Sequence, residues 1–429
     1  MSEGIRCVTI VHKADEIKRY RKMSGYFRLI GIFVCEILEG REDYDPTDFK
    51  IWLLDDDSPQ SVKEALEQMK EILGSAVVAT LNQISDIYDK YQLMEGSYAI
   101  EYFADSKEKL IYEDMDQAHG RFKRSLQEFL ELEKKDEVAE NPLSMKYILT
   151  AQANCLRRMN QLFTVQWEAI RKKWYTGSDK ATKSYLHTKG YYSHKELVEK
   201  INRILKIDSE FYGAYAIKAF FELLDDKTKV DSMESFNSAL RLLNGRSYSS
   251  YLLYRMGRYY EYILIRPRKS RDNYQKAYKV DPDNYRAAFK LSVFALNERE
   301  YDEALWYLDK IIEILGCKKD LNTLQPVECA YLFKAYRNKG RIYFQFGNYM
   351  ESITFFENAI TVYNNEENDK PDGFYPFMFK DNAIVYKRAA RSKLHVWKVY
   401  ENLAEAWARA GSYEKYKKYH LEAESLRER

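Results

Sequence analysis

Proline and glycine are scarce, with 8 and 17 in a chain of 429 residues. A β-sandwich or barrel needs turn residues roughly every ten positions, so this poverty excludes a turn-rich all-β fold and favours helices. Cysteine is scarcer still: Cys7, Cys35, Cys155, Cys317 and Cys329. Their number is odd, no C-x-x-C occurs, and none stands at zinc spacing from a histidine. That argues against a disulfide framework or a zinc finger and predicts reduced, mostly buried thiols in a cytoplasmic protein. An excess of one charge is also missing, because 68 basic residues against 66 acidic ones leave a net charge of +2. Without a basic field, nucleic acid is not an expected partner.

Long apolar runs and catalytic signatures are absent as well. The most apolar candidate helix, 26-YFRLIGIFVCEIL-38, is interrupted by Arg28 and Glu36 and is too short to span a bilayer. The first residues lack the apolar core of a secretion signal, so no membrane association is expected. There is no phosphate-binding G-x-x-x-x-G-K-[ST], no G-x-G-x-x-G, no H-E-x-x-H and no G-x-S-x-G, and the six histidines are scattered. The expectation is a protein without cofactor and without enzymatic activity.

Tyrosine is plentiful, at 37, which suits both a thin structure with much half-exposed surface and a contact face. From about residue 195 the pattern is helix after helix. In 335-AYRNKGRIYFQFGNYMESITFFENAI-360, Tyr336, Gly340, Tyr343, Gly347, Tyr349, Ser352, Phe356 and Ala359 stand at offsets of 4, 3, 4, 2, 3, 4 and 3. Ala288, Ser292, Ala295, Arg299, Tyr301, Ala304, Leu308 and Ile311 repeat them, as do Tyr400, Ala404, Trp407, Gly411, Tyr413, Tyr416, His420 and Ala423. The cause is physical: antiparallel helices approach closely only where side chains are small, and aromatics fill the gaps between one pair and the next. Gly340, Gly347 and Ala359 are expected at close approaches, with Tyr343, Tyr349 and Phe356 as fillers. In 274-YQKAYKVDPDN-284, Pro282 marks the exit from a second helix.

These spacings resemble the tetratricopeptide repeat, a 34-residue helix–turn–helix unit. The likeness covers about 195–429, with departures at 313–330 and in a longer insertion at 365–382. It implies a superhelix of hairpins whose first helices line a concave wall. The wall residues so implied are Arg258, Arg286, Phe289, Lys334, Arg337, Arg341 and Phe344, a basic run with aromatic neighbours. Such a groove suits another protein or an acidic peptide segment, because guanidinium groups fork onto carboxylates. The protein's own 365–382 segment is a second candidate occupant, and exposed ends of the superhelix allow pairing with a second copy.

The first half reads differently. Segments 7–11, 49–57 and 97–105 look like strands separated by helical patterns at 14–38, 59–73 and roughly 76–91. This predicts a small α/β module over 1–115 for sensing or docking, then a helical connector or degenerate repeat over 116–194, then the superhelix. Decayed repeats throughout the first half are the alternative. Asp55, Asp56 and Asp57 close the second candidate strand, where a sheet edge gathers ligands and carboxylates can hold Mg²⁺. They equally suit the N-terminus of the helix after Pro59, which favours negative charge. Two functions follow: a non-enzymatic adaptor or regulatory protein that grips a partner segment in the groove, or a signalling effector whose first domain handles a small molecule or nucleotide under control of the repeats.

Overall fold

A computed structural model of the chain describes residues 74–91, 93, 109–171, 194–223, 230–245, 248–316, 326–368 and 394–428. Among these residues every regular element is a helix. The α/β layer expected for residues 1–115 therefore gains no support. Its three candidate strands, and Asp55–Asp57 with them, lie outside the described residues. What is observed of that span is helical, beginning with α1 (Ser75–Lys90). The chain divides into two compact units, Met1–Asn244 and Gly245–Arg429.

In the first unit, α2 (Lys109–Glu133) and α4 (Pro142–Arg171) are the longest helices, with the one-turn α3 (Asp136–Ala139) between them. Helix α4 starts where the sequence dictates: Asn141 Oδ1 accepts from the amides of Leu143 and Ser144 at 3.1 and 3.0 Å, and Pro142 occupies the first turn. Phe122, Ser125, Leu126, Phe129 and Leu132 form the buried stripe of α2. Helix α4 is buried on nearly all sides from Tyr147 to Met159 and is the centre of this unit. Helices α5 (His194–Ile207), α6 (Tyr212–Glu222) and α7 (Ser232–Leu243) follow among its described residues. Cys155 is wholly buried 3.5 Å from Ser125 Oγ, and burial pushes its thiol up to about 12, so it is unreactive.

His119 is buried in α2, and burial, aided by the positive charge of Lys123, holds its pKa at about 3. Above pH 6.5 the imidazole is neutral whether the chain is folded or not. Below 6.5 only the unfolded chain takes the proton, so stability falls with pH down to about 3. We expect His119 to cost about 1 kcal/mol by pH 5.5, at 1.36 kcal/mol per pH unit. Urea unfolding of wild type and His119→Gln at pH 7.5 and 5.5 checks this: the variant should lose less stability between the two.

Among the described residues the second unit shows four helix pairs: α8 (Tyr248–Tyr262) with α9 (Pro267–Val280), α10 (Tyr285–Glu298) with α11 (Tyr301–Gly316), α12 (Pro326–Gln345) with α13 (Tyr349–Asn368), and α14 (Val396–Arg409) with α15 (Tyr413–Glu428). Each pair is a hairpin, and successive pairs stack through α9 on α10, α11 on α12 and α13 on α14. The repeat expected from the sequence is thus built. Ala288, Ser292, Ala295, Ala304, Leu308 and Ile311 are all buried within one hairpin. Asn284 caps α10 by accepting from the Ala287 amide at 3.0 Å.

Two glycines separate in role. Gly340 is a true close approach: its carbonyl accepts from Ser352 Oγ at 2.8 Å, and the ring of Phe356 lies where a side chain would begin. Gly347, expected at a close approach too, has open space around it and φ of +78°, so it is a turn residue. The offset pattern alone does not distinguish the two, because one hairpin needs small residues both at the helix crossing and just past the helix end.

Candidate groove on the first helices of the C-terminal unit

The first helices α10 and α12 touch one another, as do α12 and α14. Tyr254 of α8 reaches α12 as well, its hydroxyl 3.4 Å from that of Tyr331. These helices therefore share one wall. Its centre is aromatic. Tyr331 meets Tyr285 and Phe289 edge-on, each with ring centroids 5.3 Å apart. Lys334 Nζ lies 5.4 Å from the Tyr331 ring and 5.9 Å from that of Phe289, and the Arg286 guanidinium lies 5.9 Å from the Tyr285 ring. Burial raises the Tyr331 and Tyr285 hydroxyls above their ordinary range, with Arg286 opposing the rise at both. Both remain neutral donors at physiological pH.

One further turn along α12 the wall changes to positive charge. Arg337 is largely buried, and its Nε has no hydrogen-bond partner among the described residues. Burial, and then the charge of Arg341, lower its pKa from the ordinary arginine value. His395, which precedes α14, is likewise lowered by burial and by Lys398 and Arg337. Arg337 thus feels the charge of Arg341 and His395 that of Arg337 and Lys398, with Arg341, His395 and Lys398 exposed. On α14, Glu401 pairs with Arg427 at 4.0 Å and Glu405 with Arg409 at 3.1 Å. Among the described residues no carboxylate pairs with Arg337 or Arg341. An unpaired, desolvated guanidinium is costly, so its surroundings favour an incoming anion.

The structure brings together Arg286, Phe289 and Lys334 in the aromatic part, and Arg337 with Arg341 in the basic part. Arg258 is exposed and lies against Tyr262 of its own helix at 5.6 Å, while Phe344 packs edge-on against Tyr349 inside its hairpin. Those two are not joined to the others by any contact found here among the described residues. Sequence reasoning missed Tyr331 and His395. Tyr331 precedes Lys334 by three places on α12 and shares its face, a spacing that could have found it. His395 stands in no repeat position and had no such signal. Among the described residues no cluster of histidine, cysteine or acid could hold a metal, and no helix is long and apolar enough to cross a membrane.

Residues 266–315 match the tetratricopeptide repeat family. The C-terminal half of the chain is of tetratricopeptide-repeat type, as its hairpins and spacing require. No curated protein matches the sequence. Among solved structures, the chain is similar to PilW, a widely conserved type IV pilus biogenesis factor, with 14% identity and a TM-score of 0.33 over 64% of this chain and 92% of that one. It is similar to yeast Tom70, with 13% identity and a TM-score of 0.35 over 87% of this chain and 72% of that one. Human IFIT1, solved as a dimer with PPP-AAAA, shows 16% identity and a TM-score of 0.30 over 86% and 85% of the two chains.

Proposed function

We propose that the C-terminal unit is a protein-interaction scaffold whose first-helix wall grips an acidic segment of a partner protein. Tetratricopeptide-type repeats are suited to this role because stacked hairpins present one continuous face. The observation that carries the reading is Arg337, a largely buried guanidinium whose Nε lacks an acceptor, beside Arg341 and next to an aromatic wall. The aromatic part would take apolar side chains of the segment, and the basic part its carboxylates. Separating the two along α12 gives the segment a direction, since Tyr331 and Arg337 are six residues, or about 9 Å, apart.

The test is selection from a displayed library of random peptides against the full chain. Wild type should enrich segments that combine acids with aromatic or aliphatic residues. Arg337→Glu with Arg341→Glu should weaken the best selected segment by roughly 100-fold, from two charge-assisted contacts at about 1.5 kcal/mol each. Unchanged affinity in that variant would sink the reading.

A further inference from the structure

We propose that Arg337, Arg341, His395 and Lys398 form a pocket for a phosphoryl group, so that the acidic segment taken by the wall is a phosphorylated peptide. This rests on the groove reading above and makes it specific. Arg337 and Arg341 are one turn apart on α12, which places their side chains beside one another. His395 and Lys398 come from the start of α14, which packs on α12. Three of the four are permanent cations. A single carboxylate brings one charge and two acceptor oxygens and would leave the cluster strongly positive. A phosphoryl group brings close to two charges and three acceptor oxygens at neutral pH. That matches two guanidinium forks, of which Arg337 has an unused Nε–H; Lys398, whose Nζ lies 5.1 Å from the Trp397 ring, adds positive charge at the rim.

Two further observations favour a peptide as the source of the phosphoryl group. Among the described residues no carboxylate pairs with Arg337 or Arg341, so the doubly charged group has to come from outside the hairpins. The aromatic wall begins one turn before the cluster, and its cations Lys334 and Arg286 already cover ring faces rather than standing free for further phosphates. A polyanion with a charge on every residue fits that alternation poorly. A segment with one doubly charged group and apolar neighbours fits it well.

The test is titration calorimetry of the full chain at constant ionic strength with phenyl phosphate, benzoate and inorganic phosphate. A pair of otherwise identical short peptides, carrying phosphoserine or glutamate at one position next to a leucine and a phenylalanine, completes the set. Phenyl phosphate should bind at least tenfold more tightly than benzoate, and the phosphoserine peptide at least tenfold more tightly than the glutamate peptide. Arg337→Gln and, separately, the exposed Arg341→Gln should each remove most of that preference, while Lys134→Gln, at an exposed pair with Glu131 in the first unit, should leave it intact. If the two members of each pair bind equally, or if both arginine variants keep the preference, the phosphoryl pocket is refuted. If library-selected acidic segments still bind in that case, the wall remains a groove for acidic segments; if they do not, the groove reading fails as well. A 5′-phosphorylated oligonucleotide that outcompetes the phosphoserine peptide would overturn the assignment to a peptide.

Discussion

Gly340→Leu is expected to cost the C-terminal unit about 3 kcal/mol or more, seen as an earlier urea midpoint. A Cβ added at Gly340 would lie 2.6 Å from Cε1 and 2.7 Å from Cδ1 of Phe356. Phe356 is fully buried, so its ring has no free end to swing aside. The helices α12 and α13 would have to part, which also stretches the 2.8 Å bond from Ser352 to the Gly340 carbonyl. Even Gly340→Ala should cost about 1–3 kcal/mol, the usual range for overpacking. The same device recurs two hairpins earlier. A Cβ at Gly257 would meet Tyr274 at 2.6 Å, and Ser270 Oγ donates to the Gly257 carbonyl at 2.9 Å. Adding Phe356→Ala to Gly340→Leu should return part of the loss, so the two changes together should cost less than the sum of the two alone. Strict additivity would show that the contact does not carry the effect.

Glu133→Ala is expected to cost the first unit about 3 kcal/mol, the low end of the range for breaking a buried ion pair. Glu133 ends α2 and binds three partners: Arg203 at 2.6 Å, Gln152 at 2.7 Å and Lys200 at 3.2 Å. It thereby ties α2 to α4 and α5. Burial alone would raise its pKa, but hydrogen bonds from Gln152 and Arg203 and the charge of Lys200 outweigh burial and lower it. Its contribution is therefore present above the ordinary glutamate pKa and is lost as pH falls through the lowered one. In Glu133→Ala the Lys200 side chain, 10% exposed, would keep its charge without this acid. Glu133→Leu combined with Lys200→Met should recover most of the stability, because it removes the acid together with its buried cation, while Arg203, 37% exposed, stays hydrated. Chemical denaturation of both variants and the wild type at pH 7 decides it. A single variant as stable as wild type would mean that solvent reaches Lys200 well enough to replace the acid.

How far the sequence carried can be seen on α12. Its small and aromatic positions announced the hairpin, since Gly340, Ser352 and Phe356 follow the spacing that antiparallel helices impose. Arg337 and Arg341 remained as the residues with no packing duty, and the structure leaves both without an acid. Tyr331 was overlooked because its role depends on Tyr285 and Phe289 of another repeat. Asp55, Asp56 and Asp57 lie outside the described residues and take no part in the site built here.

The sequence by itself determined the helical repeat of the C-terminal half and the face on which its basic residues stand. Both follow from spacing along one chain, and the 3.6-residue period makes such spacing local. Only the tertiary structure decided which charges are spent. Glu401 and Glu405 of α14 pair with Arg427 and Arg409. Arg337 is left largely buried, its Nε without an acceptor. The Glu401–Arg427 pairing joins two helices, and whether a guanidinium is desolvated depends on everything packed around it, which no local pattern encodes.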